Sequence, residues 1–276
     1  MTLSSQSIVR RFAVWTLAAG LAAFSLAAQG QASQTAGAPN APVVPQRPAQ
    51  ASHFVVVLDA AHGGDDGGGQ VGASVGEKTV TLALSVRLRS LLAARGFTVV
   101  TTREGNVNLD SDARAQIANH AVAGAAGAAC LSLHASQAGA GVHIFVSSLE
   151  PASATRFPAW KTAQAAYVAR SLKLAGTVNS ALEHSSTGGD PGDVNSRPIP
   201  ATLARASLPG LDSMTCPAVA IEVAPIRDAD RKVVTEATDT QYQTQLVEAL
   251  AAALLAWKTD VETDAKPDSR GGGRLP

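Results

Sequence analysis

Across 276 residues, 22 Lys and Arg are matched by 22 Asp and Glu, so the chain has no basic field of the kind that draws in a polyanion, and nucleic acid is excluded as a partner class. The composition is 46% hydrophobic but only 4% aromatic. Ala, Val and Leu therefore supply the apolar surface, which excludes a disordered chain and suits a layered α/β domain with buried strands.

In chain order, Arg10 and Arg11 precede the apolar run Phe12 to Ala28 and the small residues Gly30-Gln31-Ala32. This pattern predicts a signal peptide over residues 1–32 and export to a periplasmic or cell-wall location. Thr16, Gly20 and Ser25 make the run short and weakly apolar for a spanning helix, so no stable membrane anchor is expected after cleavage. Residues 33–53, rich in Gln, Ala and Pro, cannot bury enough surface to fold and read as an extended linker. A single folded domain is expected over 54–258, and the charged, Gly- and Pro-containing stretch 259–276 reads as a disordered tail.

Within the domain, Phe54 to Leu58 is a continuous β-branched run ending at Asp59, the pattern of a strand buried on both faces. After a glycine-rich loop, Val80, Leu84, Leu88 and Leu91 repeat at helical spacing from Glu77 to about Arg95, with Gly96 placed to end the helix. Further strands are predicted at Phe97–Thr101, Ala129–Leu133, Val142–Val146 and Ala218–Val223, with helices from Ser111, over Trp160–Leu182, and over Thr240–Trp257. This alternation predicts a three-layer α/β domain, a central mostly parallel or mixed sheet flanked by helices. Cys130 and Cys216 each fall at a predicted strand; a disulfide and two buried thiols are both consistent with that placement.

Ligands of such sheets bind beyond the carboxyl ends of the strands. His62 follows the first strand, His134 ends the third, and Glu222 lies near the end of the strand Ala218–Val223. Two imidazoles and the Glu77 carboxylate are the ligand types of a catalytic zinc site that keeps one position open. Glu222, flanked by Ala220, Ile221 and Val223, reads as a partly desolvated carboxylate suited to proton transfer. Taken singly each feature is weak, since a lone histidine is more often a packed polar residue and a glycine-rich loop only a tight turn. His143 is a candidate to support the ligands from behind, while His53, His120 and His184 read as surface or packing residues.

Several segments together resemble one family. Asp59-Ala60-Ala61-His62-Gly63-Gly64, Gly76-Glu77-Lys78, Thr101-Thr102-Arg103, Ser132-Leu133-His134-Ala135 and Pro217-Ala218-Val219-Ala220-Ile221-Glu222-Val223 are similar, in order and spacing, to the motifs of the zinc-dependent N-acetylmuramoyl-L-alanine amidases of the amidase-3 type. The resemblance implies that His62, Glu77 and His134 bind one catalytic Zn2+ ion and that Glu222 is the general base. It implies hydrolysis of the amide joining N-acetylmuramic acid to L-alanine, with peptidoglycan as partner and an activator protein as a further candidate. Ala60-Ala61 stands where Pro-Gly is usual, Ser136 where Asn is, and Ala224-Pro225 where Gly-Phe is. These departures motivate the alternative of a catalytically silent peptidoglycan-binding module, and a peptidase or deacetylase is a third reading. The poorly matched stretch from Glu150 to Pro198 either covers the sheet as an ordinary amphipathic helix or gates the substrate.

Overall fold

The β-branched run that opens the domain forms a strand, β1 (Phe54–Ala60), in which every residue is buried. Alternate side chains enter two separate cores: Phe54, Val56 and Leu58 on one face, Val55 and Val57 on the other. The computed structural model describes residues 53–72, 74–152, 159–186 and 197–265, all within one compact unit, Pro48–Pro276. The predicted signal peptide and nearly all of the linker lie outside the described residues.

Following β1 come a short hairpin, β2 (Gln70–Val71) and β3 (Val75–Gly76), then α1 (Glu77–Ala94), β4 (Thr98–Thr101), α2 (Ser111–Val122), β5 (Gly127–Ala135) and β6 (Val142–Ser147). A 3-10 helix (Trp160–Ala166), α3 (Val168–Glu183), β7 (Ala201–Ala206), α4 (Pro209–Asp212), β8 (Ala218–Val223), the hairpin β9 (Ile226–Arg227) and β10 (Val233–Thr235), and α5 (Thr240–Asp264) complete the chain. The main sheet has six strands in the order β4-β1-β5-β8-β6-β7. The first four run parallel; β6 is antiparallel to β8 and parallel to β7. The expected three-layer α/β domain with a mixed central sheet is therefore observed. Leu84, Leu88 and Leu92 of α1, Leu174, Val178 and Leu182 of α3, and Leu246, Leu250 and Leu254 of α5 close one face of it. Ala118 of α2 and Leu211 of α4 lie on the other.

Local chemistry explains most of the element ends. Gly96 adopts φ 80°, its N–H reaching Ala93 O, while the N–H of Phe97 reaches Leu92 O, a left-handed stop that returns the chain toward the sheet. The cap of α2 is Asp110 rather than Ser111: its carboxylate accepts from Ala113 N at 2.7 Å, a bond that Ser111, already inside the helix, does not make. The helix expected over Trp160–Leu182 is broken at Tyr167 into the 3-10 segment and α3, and α3 is an ordinary covering helix that buries Val168, Leu174 and Val178. The loop Ser185 to Asp190 lies largely outside the described residues. Of the tail expected over 259–276, the first residues are helical instead, because α5 continues to Asp264, and residues 266–276 lie outside the described residues; Val261, one turn beyond the fully buried Trp257, packs on the core and prolongs the apolar stripe. Cys130 and Cys216 form a disulfide with Cα atoms 6.2 Å apart.

Candidate metal centre

The carboxyl ends of the parallel strands β1, β5 and β8 share one edge of the sheet, and the polar residues singled out by the sequence gather there. Beyond β1 the chain turns through three left-handed residues, His62 (φ 61°), Gly63 (φ 139°) and Gly64 (φ 62°). At Gly63 a Cβ would fall 2.2 Å from Val107 O, so no side chain fits. His62 holds a conformation that ordinary residues avoid because its neighbours over-determine it. The Arg103 guanidinium donates to Ala60 O (2.8 Å), Ala61 O (3.0 Å) and Lys78 O (2.7 Å). Arg114 donates to Ala60 O (2.6 Å) and His62 O (2.7 Å). Two buried cations thus satisfy the carbonyls of the loop, and Ala60-Ala61 in place of Pro-Gly leaves it pinned. Burial and the neighbouring Arg114 charge pull the Arg103 guanidinium below its ordinary range, while Asp59 acts against them.

Glu77 opens α1 and is 7% exposed. One of its oxygens, Oε2, is 3.1 Å from His62 Nε2 and accepts from Gly69 N at 2.9 Å. The other, Oε1, is 3.0 Å from His134 Nδ1 and 3.2 Å from Ala135 N. Burial acts to raise the Glu77 carboxyl, but the hydrogen bonds from His134 and Gly69 and the charges of both histidines outweigh it and hold the group below its usual range. Gly68 packs against this pair: a Cβ there would stand 2.6 Å from the His62 ring and 2.7 Å from Glu77 Oε2.

The three residues fit a metal ion. Their ligand atoms all lie within 4.8 Å of one another. A tetrahedral site with bonds of about 2.05 Å sets neighbouring ligand atoms about 3.3 Å apart, and the two Glu77 oxygens reach the two histidines separately, Oε1 to His134 Nδ1 at 3.0 Å and Oε2 to His62 Nε2 at 3.1 Å. The two imidazole rings are nearly perpendicular, with centroids 5.8 Å apart. His62 Nδ1 bonds Asp66 Oδ2 at 2.7 Å, which places its proton on Nδ1 and leaves the Nε2 lone pair for the ion. The N–H of Gly68, followed by His62, holds the Asp66 carboxyl below its ordinary range and so keeps it an acceptor.

Glu222 is the register partner of His134 across β5 and β8, and of His143 across β8 and β6. All three therefore lie on one face of the sheet. Glu222 is half-buried rather than enclosed, because its face of the sheet opens here into a cavity of about 270 Å³ that it lines with His62, Glu77, His134, Gln70 and Gln137. Its carboxylate makes no hydrogen bond or ion pair among the described residues. His143 turns to Thr202, with Nδ1 3.1 Å from Oγ1, and packs over Gly139. A second cavity, of about 350 Å³, opens on the opposite side of His62 and His134 between Asn108–Ser111 and Leu208–Leu211. At the surface the His53 carbonyl accepts from Ala126 N and the His184 imidazole bonds Ser180 O at 2.7 Å, and His120 sits near the end of α2.

Sequence reasoning left Asp59, Thr102, Arg114 and Ser132 without roles. Asp59 is 4% exposed and binds Arg114 (2.8 Å), Thr102 (2.7 Å) and Ser132 (2.8 Å), and Ser132 is also 3.3 Å from His134 Nε2. Asp59 and Ser132 face each other in register across β1 and β5. The signal was present in the strand spacing, since Ser132 and His134 share a face two positions apart.

The chain matches known proteins over most of the folded region. The sequence model described as N-acetylmuramoyl-L-alanine amidase (Amidase_3) matches residues 56–256. A germination-specific N-acetylmuramoyl-L-alanine amidase of Bacillus subtilis is 44% identical over 55 residues, covering 20% of this chain and 23% of that protein, so the chain aligns with only about a quarter of that relative. Among solved structures, the catalytic domain of CwlV, an N-acetylmuramoyl-L-alanine amidase from Bacillus (Paenibacillus) polymyxa var. colistinus, shares the fold at 22% identity and a TM-score of 0.52, covering 75% of this chain and 99% of that one. The CwlD amidase of Clostridioides difficile, solved in complex with the GerS lipoprotein, does so at 19% identity and a TM-score of 0.51, covering 75% and 98%.

Proposed function

Because the chain belongs to the N-acetylmuramoyl-L-alanine amidase family, matched from residue 56 to 256, we propose that it hydrolyses the amide between N-acetylmuramic acid and L-alanine in peptidoglycan. In this reading His62, Glu77 and His134 hold one zinc ion and Glu222 is the catalytic base. The observation that carries it is the unpartnered Glu222 carboxylate lining the same cavity as the three ligand residues. Zinc held there supplies Lewis-acid polarisation of the scissile carbonyl and lowers the pKa of water. The Glu222 carboxylate, free of protein donors, takes the proton of the attacking water and returns it to the leaving amine nitrogen. The two cavities on either side of His62 and His134 give the glycan and the peptide each a place to lie.

Export follows from the same substrate, which lies outside the cytoplasm, and the Cys130–Cys216 disulfide is at home in an oxidising compartment. A cleaved signal over 1–32, a linker over 33–53 and a periplasmic or cell-wall location complete the proposal. The likeness to CwlD, solved with a lipoprotein partner, adds an activator protein as a second proposed partner.

Purified protein incubated with murein sacculi and zinc should release stem peptides bearing a free N-terminal L-alanine, identified by mass. The variant Glu222→Gln should retain zinc and lose cleavage by about 10²–10⁴-fold. A fully active Glu222→Gln would remove Glu222 from the mechanism, and products of another mass would identify a peptidase or a deacetylase instead.

A further inference from the structure

The hydrogen bonds around Asp59 have a direction, and it ends on His134. Arg114 Nη1 at 2.8 Å and Thr102 Oγ1 at 2.7 Å both donate to Asp59 Oδ1. The other oxygen, Oδ2, is thereby turned toward Ser132 Oγ, 2.8 Å away. A carboxylate paired with a guanidinium only accepts, and a serine hydroxyl has one hydrogen to give. That hydrogen goes to Asp59, because turning it elsewhere would strip a buried carboxylate oxygen of its only donor among the described residues. Ser132 then has only lone pairs left for His134 Nε2, 3.3 Å away. Without an ion Nδ1 shares its hydrogen with Glu77 Oε1 at 3.0 Å; once Nδ1 gives its lone pair to a metal the hydrogen of the neutral ring must stand on Nε2, where the Ser132 lone pairs accept it.

We propose that Asp59, acting through Ser132 and held by Arg114, is a positioning residue that selects the metal-binding tautomer of His134. The proposal rests on the reading of His62, Glu77 and His134 as metal ligands. His62 receives the same service directly from the exposed Asp66 carboxylate. For His134 the carboxylate is buried and works through a hydroxyl, and a hydroxyl can be turned round. In Asp59→Asn the amide oxygen stays with its two donors, Arg114 and Thr102, so the NH₂ group faces Ser132. The Ser132 hydrogen must then point at His134 Nε2, which drives the imidazole hydrogen onto Nδ1 and blocks the ligand atom. An isosteric change two bonds away is thus converted into the wrong tautomer.

Zinc affinity, measured by chelator competition on the purified protein, reads this without recourse to activity. Ser132→Ala, which removes the guide but imposes no wrong tautomer, should weaken zinc about 10-fold, and Asp59→Asn about 100-fold. The double variant Asp59→Asn/Ser132→Ala should recover to the level of Ser132→Ala alone, because the misdirecting hydroxyl is gone. General damage to the site would make the double variant weaker than either single, and that result would overturn the relay. Zinc binding by Asp59→Asn equal to that of the native chain would do the same while leaving the ligand assignment standing. If the native chain bound no zinc, the ligand assignment itself would fall, and the relay with it. Should Asp59→Asn not fold, Ser132→Thr decides: Ser132 borders the larger cavity, so the added methyl has room, and the retained hydroxyl should keep affinity within about 3-fold of native where Ser132→Ala does not. Equal affinities for Ser132→Ala and Ser132→Thr would overturn the relay.

Discussion

The two sides of the metal position are built on opposite principles. On the β1 side each ligand is braced: His62 by Asp66, Glu77 by Gly69 and Ala135 N–H groups, and the loop carbonyls by Arg103 and Arg114. On the β8 side Glu222 has no polar partner among the described residues. The contrast matches what the proposed roles, metal ligands on one side and a proton shuttle on the other, would demand of each. Ligands have to keep one geometry against the pull of a dication, so their supports are numerous. A proton shuttle needs lone pairs that nothing else occupies and room to turn between the attacking water and the leaving nitrogen.

Breaking the braced side at a ligand should have the largest effect. His62→Ala or Glu77→Gln should lose zinc, seen by metal analysis, and with it all peptide release from sacculi; chelation should do the same to the native chain, which alone recovers when zinc is restored. Removal of a brace comes next. Arg103→Ala takes one donor from each of the carbonyls of Ala60, Ala61 and Lys78, leaving Arg114 on the first and Thr81 on the other two, and should cost about 2 kcal/mol in urea unfolding, with zinc affinity falling as well. A variant that lost stability but kept its zinc affinity would show that the loop does not need pinning to bind metal. The smallest effect belongs to Asp110→Ala, which removes the cap of the helix that carries Arg114 and should cost about 1 kcal/mol, measured in the same way.

What could be read from the sequence divides along similar lines. The strands β1, β5 and β8 are continuous apolar runs in the middle of the sheet, and α1 and α5 carry leucines at helical spacing, so burial alone announces them. The strand β7 (Ala201–Ala206) was missed because it is a mostly exposed edge with a single leucine, and the two- and three-residue strands of the hairpins are too short to show a period. At the site, His62, Glu77, His134 and Glu222 stand out by residue type at element ends. Their braces do not, because nothing local marks Arg103 or Arg114 as donors to carbonyls some forty and fifty residues earlier. Such donors become visible only when β1, β4 and α2 are placed side by side. The cap shift from Ser111 to Asp110 is of another kind: two competent residues stood side by side, and sequence does not rank them.

The Cys130–Cys216 bond ties β5, which carries His134, to the turn two residues before β8, which carries Glu222. It closes a ring around β6, α3, β7 and α4, with the two cysteines 86 positions apart. A protease that nicks the backbone once inside that ring leaves both pieces covalently attached, with ligand and base still anchored to neighbouring strands. The intervening segment is thereby a place where a single cut need not end the molecule's working life.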